Sequence, residues 1–371
     1  MMRAFAITIS AIVTVCVFSM TKAQAHPAWG IVVDRQGQVY FSDLEIVWKI
    51  GAQGRLTVFR AGVSGRHIHD LTLDDDGNLH GADYTYLPST QSYLNAIWKM
   101  TPAGNLTYTL APTESLPRGV SIWKDRDGNT YAVEQDNHLK RETLLLKRTP
   151  SGNVAVLAGG SYGHADGRGS QARFSSINKI AFGSDGALYT ADGSTVRKVA
   201  TDGTVSTLAR DLVVENSADR GRGGLGGNLY GLTVNAQNDV FVADHGNRRV
   251  LKIAPDGKVA TLLSADPPWS PTGVAFKDDS LYILEFGFTP PRTSNGARVR
   301  KLASDGKVTV LATVGESGNL PVRENSLSEN TAPTIEPQPN PPYALVGATA
   351  GIFALTIIVW RVRKRMADRQ Q

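Results

Sequence analysis

From Gly30 to Val314 apolar and polar side chains alternate in short runs, the period of a strand with one face turned inward. The stretch "DVFVADHGNRRVLKIAPDGKVATLL", residues 239–263, shows this most plainly. Val240 and Val242, then Val250 and Ile253, then Val259 and Leu262 mark three strands. Asp-His-Gly-Asn separates the first two, and Pro-Asp-Gly the second pair. Two hairpins of this size cannot bury a core alone, so they require partners.

The partners are copies. Comparable units begin at Trp29, His69, Arg118, Asn178, Tyr230 and Thr272. The starts lie about 40 to 60 residues apart, the span of a four-stranded propeller blade. Most units carry two turn signals, such as Asp76-Gly77 and Ala103-Gly104, and no helical period interrupts residues 26–315. A small sheet has two faces to bury and two edges to protect. Stacking copies around an axis does both. The expected fold is all-β, a six-bladed propeller over residues 26–315.

The ends read differently. Residues 1–25 have a basic start at Arg3, an apolar run and an Ala23-Gln24-Ala25 site, the pattern of a secretory signal peptide. Residues 343–360 carry no charge and are just long enough to cross a bilayer as one helix. Residues 361–371 form a basic tail, which places the C-terminus in the cytoplasm and the propeller outside it, periplasmic or at the cell surface. Residues 316–342 are polar and proline-rich, a disordered linker between propeller and span.

Charge then changes the picture. The chain carries +5, but Arg3 and Lys22 supply two of those charges and the tail a net four, so the exported part stands at −1. Nucleic acid is therefore excluded as a partner. The one cysteine, Cys16, lies in the signal segment, which removes disulfides and thiolate chemistry from the mature chain.

Two rings of side chains meet at one end of such a propeller. Trp29, His69, Arg118, Asn178, Tyr230 and Thr272 precede the inner strands. Asp43, Asp83, Glu134, Asp192, Asp244 and Glu285 end the second strands. An aspartate at such a turn accepts backbone N–H bonds and fixes the bend, which is the reading for Asp43, Asp83, Asp192 and Asp244. Glu134 and Glu285 suit that turn less well and stand beside longer inserts, so both turn-forming and ligand-binding roles stay open. The inserts bring Tyr84, Tyr86, Tyr93, His138, Phe286 and Phe288 to the expected rim. His245 reads as a solvated loop residue on the same face. The glycine-rich run at residues 219–227 reads as a flexible connector, and no phosphate loop or nucleophile elbow is present.

Blades four and five, "HADGRGSQARFSSINKIAFGSDGALYTADGSTVRKV" and "GLTVNAQNDVFVADHGNRRVLKI", resemble NHL repeats, and through them the gluconolactonase and strictosidine-synthase-like group. That group includes hydrolases, lyases and plain binding modules. The resemblance implies a central divalent ion, commonly calcium, held by acid and amide side chains near the pre-strand ring, with Asn178 in a matching place. His69 and Arg118 depart from an oxygen-ligand set.

Two functions follow. The first is a tethered module that binds a small molecule or protein at the channel mouth through Arg118, Asn178, Glu134, Tyr230 and Glu285. The second is a metal-dependent hydrolase or lyase acting on a lactone or sugar-like substrate. There His69 or Tyr230 would move protons, Glu285 would act as base or ligand, and Arg118 would clamp an anion. Its metal, calcium or zinc, would fall to His69, Asn178 and Glu285, with His245 a further zinc ligand. No cofactor is demanded by the sequence.

Overall fold

The computed structural model describes residues 27–90, 92–113, 122–125, 127–135, 142–213, 228–289 and 293–315. The signal, linker, span and tail expected from the sequence, together with Arg118, His138 and the glycine-rich connector, lie outside these residues. Among the described residues no helix is long and apolar enough to cross a membrane.

The chain is a six-bladed β-propeller. Six antiparallel sheets follow in sequence, each with its strands in chain order from the axis outward. Blade one is Ile31–Val33, Val39–Ser42, Val47–Ile50 and Leu56–Arg60. Blade two is Arg66–Leu73, Leu79–Leu87, Ser92–Met100 and Leu106–Thr113. Blade three is Ile122–Lys124, Thr130–Gln135, Glu142–Arg148 and Val154–Ser161. Blade four is Ile177–Phe182, Leu188–Asp192, Thr195–Val199 and Thr204–Ala209, with the short Gly167–Arg168 added at its outer edge. Blade five is Leu229–Val234, Val240–Asp244, Arg249–Ile253 and Val259–Ser264. Blade six is Trp269–Lys277, Ser280–Thr289, Thr293–Leu302 and Val308–Val314. The three strands read from residues 239–263 are the second, third and outer strands of blade five.

Second strands such as "VFVAD" and "LYTAD" are buried at every position, because each face meets a neighbouring blade. Their alternation sorts side chains between two seams. Val240 and Val242 pack toward blade four, Phe241 and Ala243 toward blade six. The seam-filling aromatic recurs and is paired directly across to a lysine of the third strand: Tyr40 with Lys49, Tyr131 with Lys147, Tyr189 with Lys198, Phe241 with Lys252 and Tyr282 with Lys301. Each lysine ammonium lies 5.4 to 6.0 Å from its ring centre. Blade two has His80 opposite Lys99 instead.

Among the described residues no strand is exchanged to close the ring. Blade one meets blade six through a buried cluster that includes Ile31, Phe41, Trp48, Leu284, Phe286 and Val299. Every described strand of the six sheets lies between Ile31 and Val314. At the axis the inner strands approach closely. A Cβ on Gly231 would stand 2.6 Å from the Cα of Gly273, and one on Gly30 would stand 2.9 Å from the Leu71 side chain.

Candidate binding site at the channel mouth

The register puts the two expected rings at one end. Ile68 pairs with Asp83, Ile177 with Asp192, Leu229 with Asp244 and Pro271 with Glu285. Just beyond each pair the inner strand is bulged, at His69-Asp70, Asn178, Tyr230-Gly231 and Thr272. A bulge leaves a residue outside the ladder and re-aims its side chain. Repeated around the axis, it supplies the mouth with residues from several blades.

Two of these, His69 and Tyr230, converge as rings on Trp29, which precedes the inner strand of blade one. The Trp29 indole stacks on the His69 imidazole at 5.2 Å and meets the Tyr230 ring at 5.6 Å. His69 also stacks on Tyr84 at 5.1 Å, and Tyr230 stands edge-on to His245 at 5.4 Å. Blades one, two and five thus join over the channel. Such contacts add about 0.5–1.5 kcal/mol each beyond simple burial. Trp29 and His69 keep part of their surface exposed, whereas Tyr84 and Tyr230 are buried to 9% and 8%. The Trp29 Nε1 is buried and has no acceptor among the described residues. Burial raises the Tyr230 hydroxyl to about 12.

His245 departs from the expectation of a solvated loop residue: it is 3% exposed. Blade six covers it. Its Nδ1 lies 3.1 Å from the Pro271 carbonyl oxygen, and the Ser270 hydroxyl donates to the His245 carbonyl at 2.5 Å. Burial pushes the ring down to about 4, with Arg248 adding to the effect. The imidazole is neutral at pH 7, and the Pro271 acceptor assigns its proton to Nδ1.

Five of the second-strand acids hold partners within the blades and seams. Asp43 accepts the Trp48 indole N–H at 2.7 Å. Asp83 takes a two-pronged bond from Arg60 of blade one, at 2.9 and 2.7 Å, and the Trp98 indole at 2.9 Å. Asp192 accepts three bonds from Ser175 and Ser176 and one from Arg197. Asp244 holds Arg249 and Asn247. Glu285 is fully buried between Arg298 and Arg300. Glu134 is also buried, at 6%, in the second strand of blade three. Phe286, expected at the rim, lies instead in the seam between blades six and one. Tyr86 and Tyr93 do sit together on the insert of blade two, 5.1 Å apart.

The structure therefore brings His69 and Tyr230 together around Trp29, and keeps Glu285 on its arginines. Asn178 donates from Nδ2 to the Leu229 carbonyl at 2.7 Å, linking blades four and five. The Thr272 hydroxyl is buried against the Leu284 carbonyl. This donor set fits calcium poorly, because the cation needs six to eight oxygens and Trp29 and His69 offer none. Among the described residues no group of three His, Cys, Asp or Glu could hold a metal ion.

Beneath the rings, Asp70 and Lys179 close the floor through an ion pair at 2.5 Å. Trp29 stands where the sequence expects it, in the pre-strand ring, whereas the pairing of Asp70 with Lys179 was not expected. The signal was there: four units begin with a residue followed by glycine, and blades two and four break that pair with His-Asp and Asn-Lys.

No protein-family model and no curated protein matches the chain. Solved structures do. A luciferin-regenerating enzyme has a TM-score of 0.50 at 16% identity, over 80% of this chain and 96% of its own. A gluconolactonase from Xanthomonas campestris has 0.49 at 16%, over 76% and 86%. A calcium-binding protein, regucalcin, from Agrobacterium tumefaciens has 0.46 at 18%, over 69% and 81%. The likeness is one of fold. The activities in those names belong to those proteins, and on this chain the mouth has to be read from its own side chains.

Proposed function

We propose that the chain is an exported, membrane-tethered propeller that binds a small ligand at its channel mouth. The carrying observation is the stack of Trp29 on His69 with Tyr230 beside it. It joins partly exposed Trp29 and His69 rings to a buried indole N–H that has no acceptor among the described residues. Stacking surfaces with hydrogen-bond donors suit a neutral, oxygen-rich ligand such as a sugar or a lactone. The bonds of the second-strand acids support binding over metal-assisted hydrolysis, since those carboxylates already hold indoles, arginines and backbone N–H groups.

A thermal-shift panel of sugars, aryl glycosides and sugar lactones on the chain tests this. Hits should lose their shift in Trp29→Leu and keep it in His164→Ala, a change at a half-exposed residue. Hits indifferent to Trp29→Leu would refute the mouth as the site. For export and tethering, protease added outside intact cells should release the propeller by cutting within residues 316–342. An uncut full chain, where other exposed tethers are cleaved, would refute that orientation.

One observation favours the hydrolase as a second reading. A neutral His245 with its proton placed on Nδ1 leaves Nε2 as a base, next to the Tyr230 ring. Hydrolysis of a bound lactone, followed by acid release and abolished by His245→Gln, would establish that reading. Binding without acid release would leave the module.

A further inference from the structure

The blade seams are not alike. Among the described residues, buried apolar clusters fill the seams one–two, three–four, four–five, five–six and six–one. Between blades two and three there is a cavity. It measures about 890 Å³, follows the channel below Asp70 and Lys179, and runs outward between these two blades. The cause is visible in the repeat. Where other blades place Tyr40, Tyr131, Tyr189, Phe241 or Tyr282 into the next seam, blade two places His80. That imidazole turns to Asp74 at 2.9 Å. Facing it across the cavity, the second strand of blade three offers Thr130 and Ala132 and no aromatic ring.

The walls are of two kinds. Ile97, Ala132, Leu146 and Val154 make the seam apolar, and Leu73 and Phe276 continue that surface along the channel. Three cations, Lys99, Lys124 and Arg148, line the same cavity, and none has a carboxylate within ion-pair distance among the described residues. The carboxylates near them are committed or at the lip. Asp74 holds Asn78 and His80, Asp125 holds Asn129 and Tyr131, and Asp75 and Asp76 are exposed. A volume of this size is that of ligand pockets, roughly 300–1,000 Å³. Open cations beside an apolar wall select a molecule with both characters.

We propose that the seam between blades two and three is a second ligand site, separate from the mouth, which takes an apolar chain bearing one anionic group. The apolar chain lies between Ile97 and Leu146 and the anion meets Lys99 and Arg148. The test uses the full chain in detergent. Calorimetric titration with sodium dodecanoate, kept below micelle formation, should show one site per chain. Acetate should not bind, and dodecanol should bind at least ten-fold more weakly. Lys99→Gln with Arg148→Gln should weaken dodecanoate about ten-fold or more and leave dodecanol unchanged. His80→Tyr, which restores the aromatic of the other seams, should abolish binding without lowering Tm, and Ala132→Leu narrows the same seam should that variant not fold. Trp29→Leu should have no effect, which separates this site from the mouth. Absence of dodecanoate binding, equal binding of dodecanol, or full binding in both seam-filling variants would overturn the proposal.

Discussion

Asp70 of blade two and Lys179 of blade four meet at 2.5 Å across the channel, where blades one, five and six have Gly30, Gly231 and Gly273. The lysine also donates to the Leu71 carbonyl at 3.3 Å, and both side chains are nearly buried, at 11% and 5%. The pair ties two non-adjacent blades and divides the mouth from the cavity below it.

Removing one partner leaves the other charge buried. Lys179→Met should therefore cost about 3–5 kcal/mol in urea unfolding. Asp70→Asn with Lys179→Met removes both charges and should recover a large part of that loss. The double-mutant cycle should give a coupling of about 2–3 kcal/mol, and a coupling near zero would show that the two side chains do not act as a pair.

His245 fixes the direction of one pH effect. Its folded value, about 4, lies below the ordinary 6.5, so the fold favours the neutral ring. The stability this contributes is complete above the unfolded value and is lost as pH falls from 6.5 toward 4, by about 3 kcal/mol at 1.36 kcal/mol per unit. His245→Gln should flatten the stability profile across that window. Asp74, Asp125, Asp166 and Asp185 are all held below their ordinary value by hydrogen bonds that outweigh burial. Their contribution should disappear at lower pH, below about 4.

Ring closure rests on side chains alone. Leu284→Ala opens a hole in the seam between blades six and one and should cost about 2–5 kcal/mol. Val310→Ala, on a residue 53% exposed in the outer strand, should change stability by about 0.5 kcal/mol or less. Guanidinium unfolding of the two variants measures the contrast. Equal losses would mean that this seam does not hold the ring shut.

The repeat made the fold legible before any coordinates. Val240, Val242, Val250 and Ile253 mark strands by their spacing, and the acids after each second strand mark one face. The mouth was legible only in part. His69, Tyr230 and Thr272 could be placed at strand starts, because position within the repeat is a local property. That Trp29 touches Tyr230 is not local, since it depends on how far the inner strands of blades one, six and five close upon the axis. His245 misled for a similar reason: "DHGN" has the composition of an exposed turn, and the cover comes from Ser270 and Pro271 of the next blade. Glu285 looked available because Arg298 and Arg300 follow an insert, which hides their opposition to it across the hairpin.

In the proposed function, ligand binds over Trp29. Trp48 and Trp98 have indole N–H groups tied to Asp43 and Asp83, whereas the Trp29 N–H has no acceptor among the described residues. Nitrogen-15 spectra of the indoles, recorded while a sugar or lactone hit is titrated, report on each separately. The Trp29 resonance should shift and saturate with the ligand while those of Trp48 and Trp98 stay in place. A ligand that saturates the chain and leaves the Trp29 resonance unmoved would contradict the account.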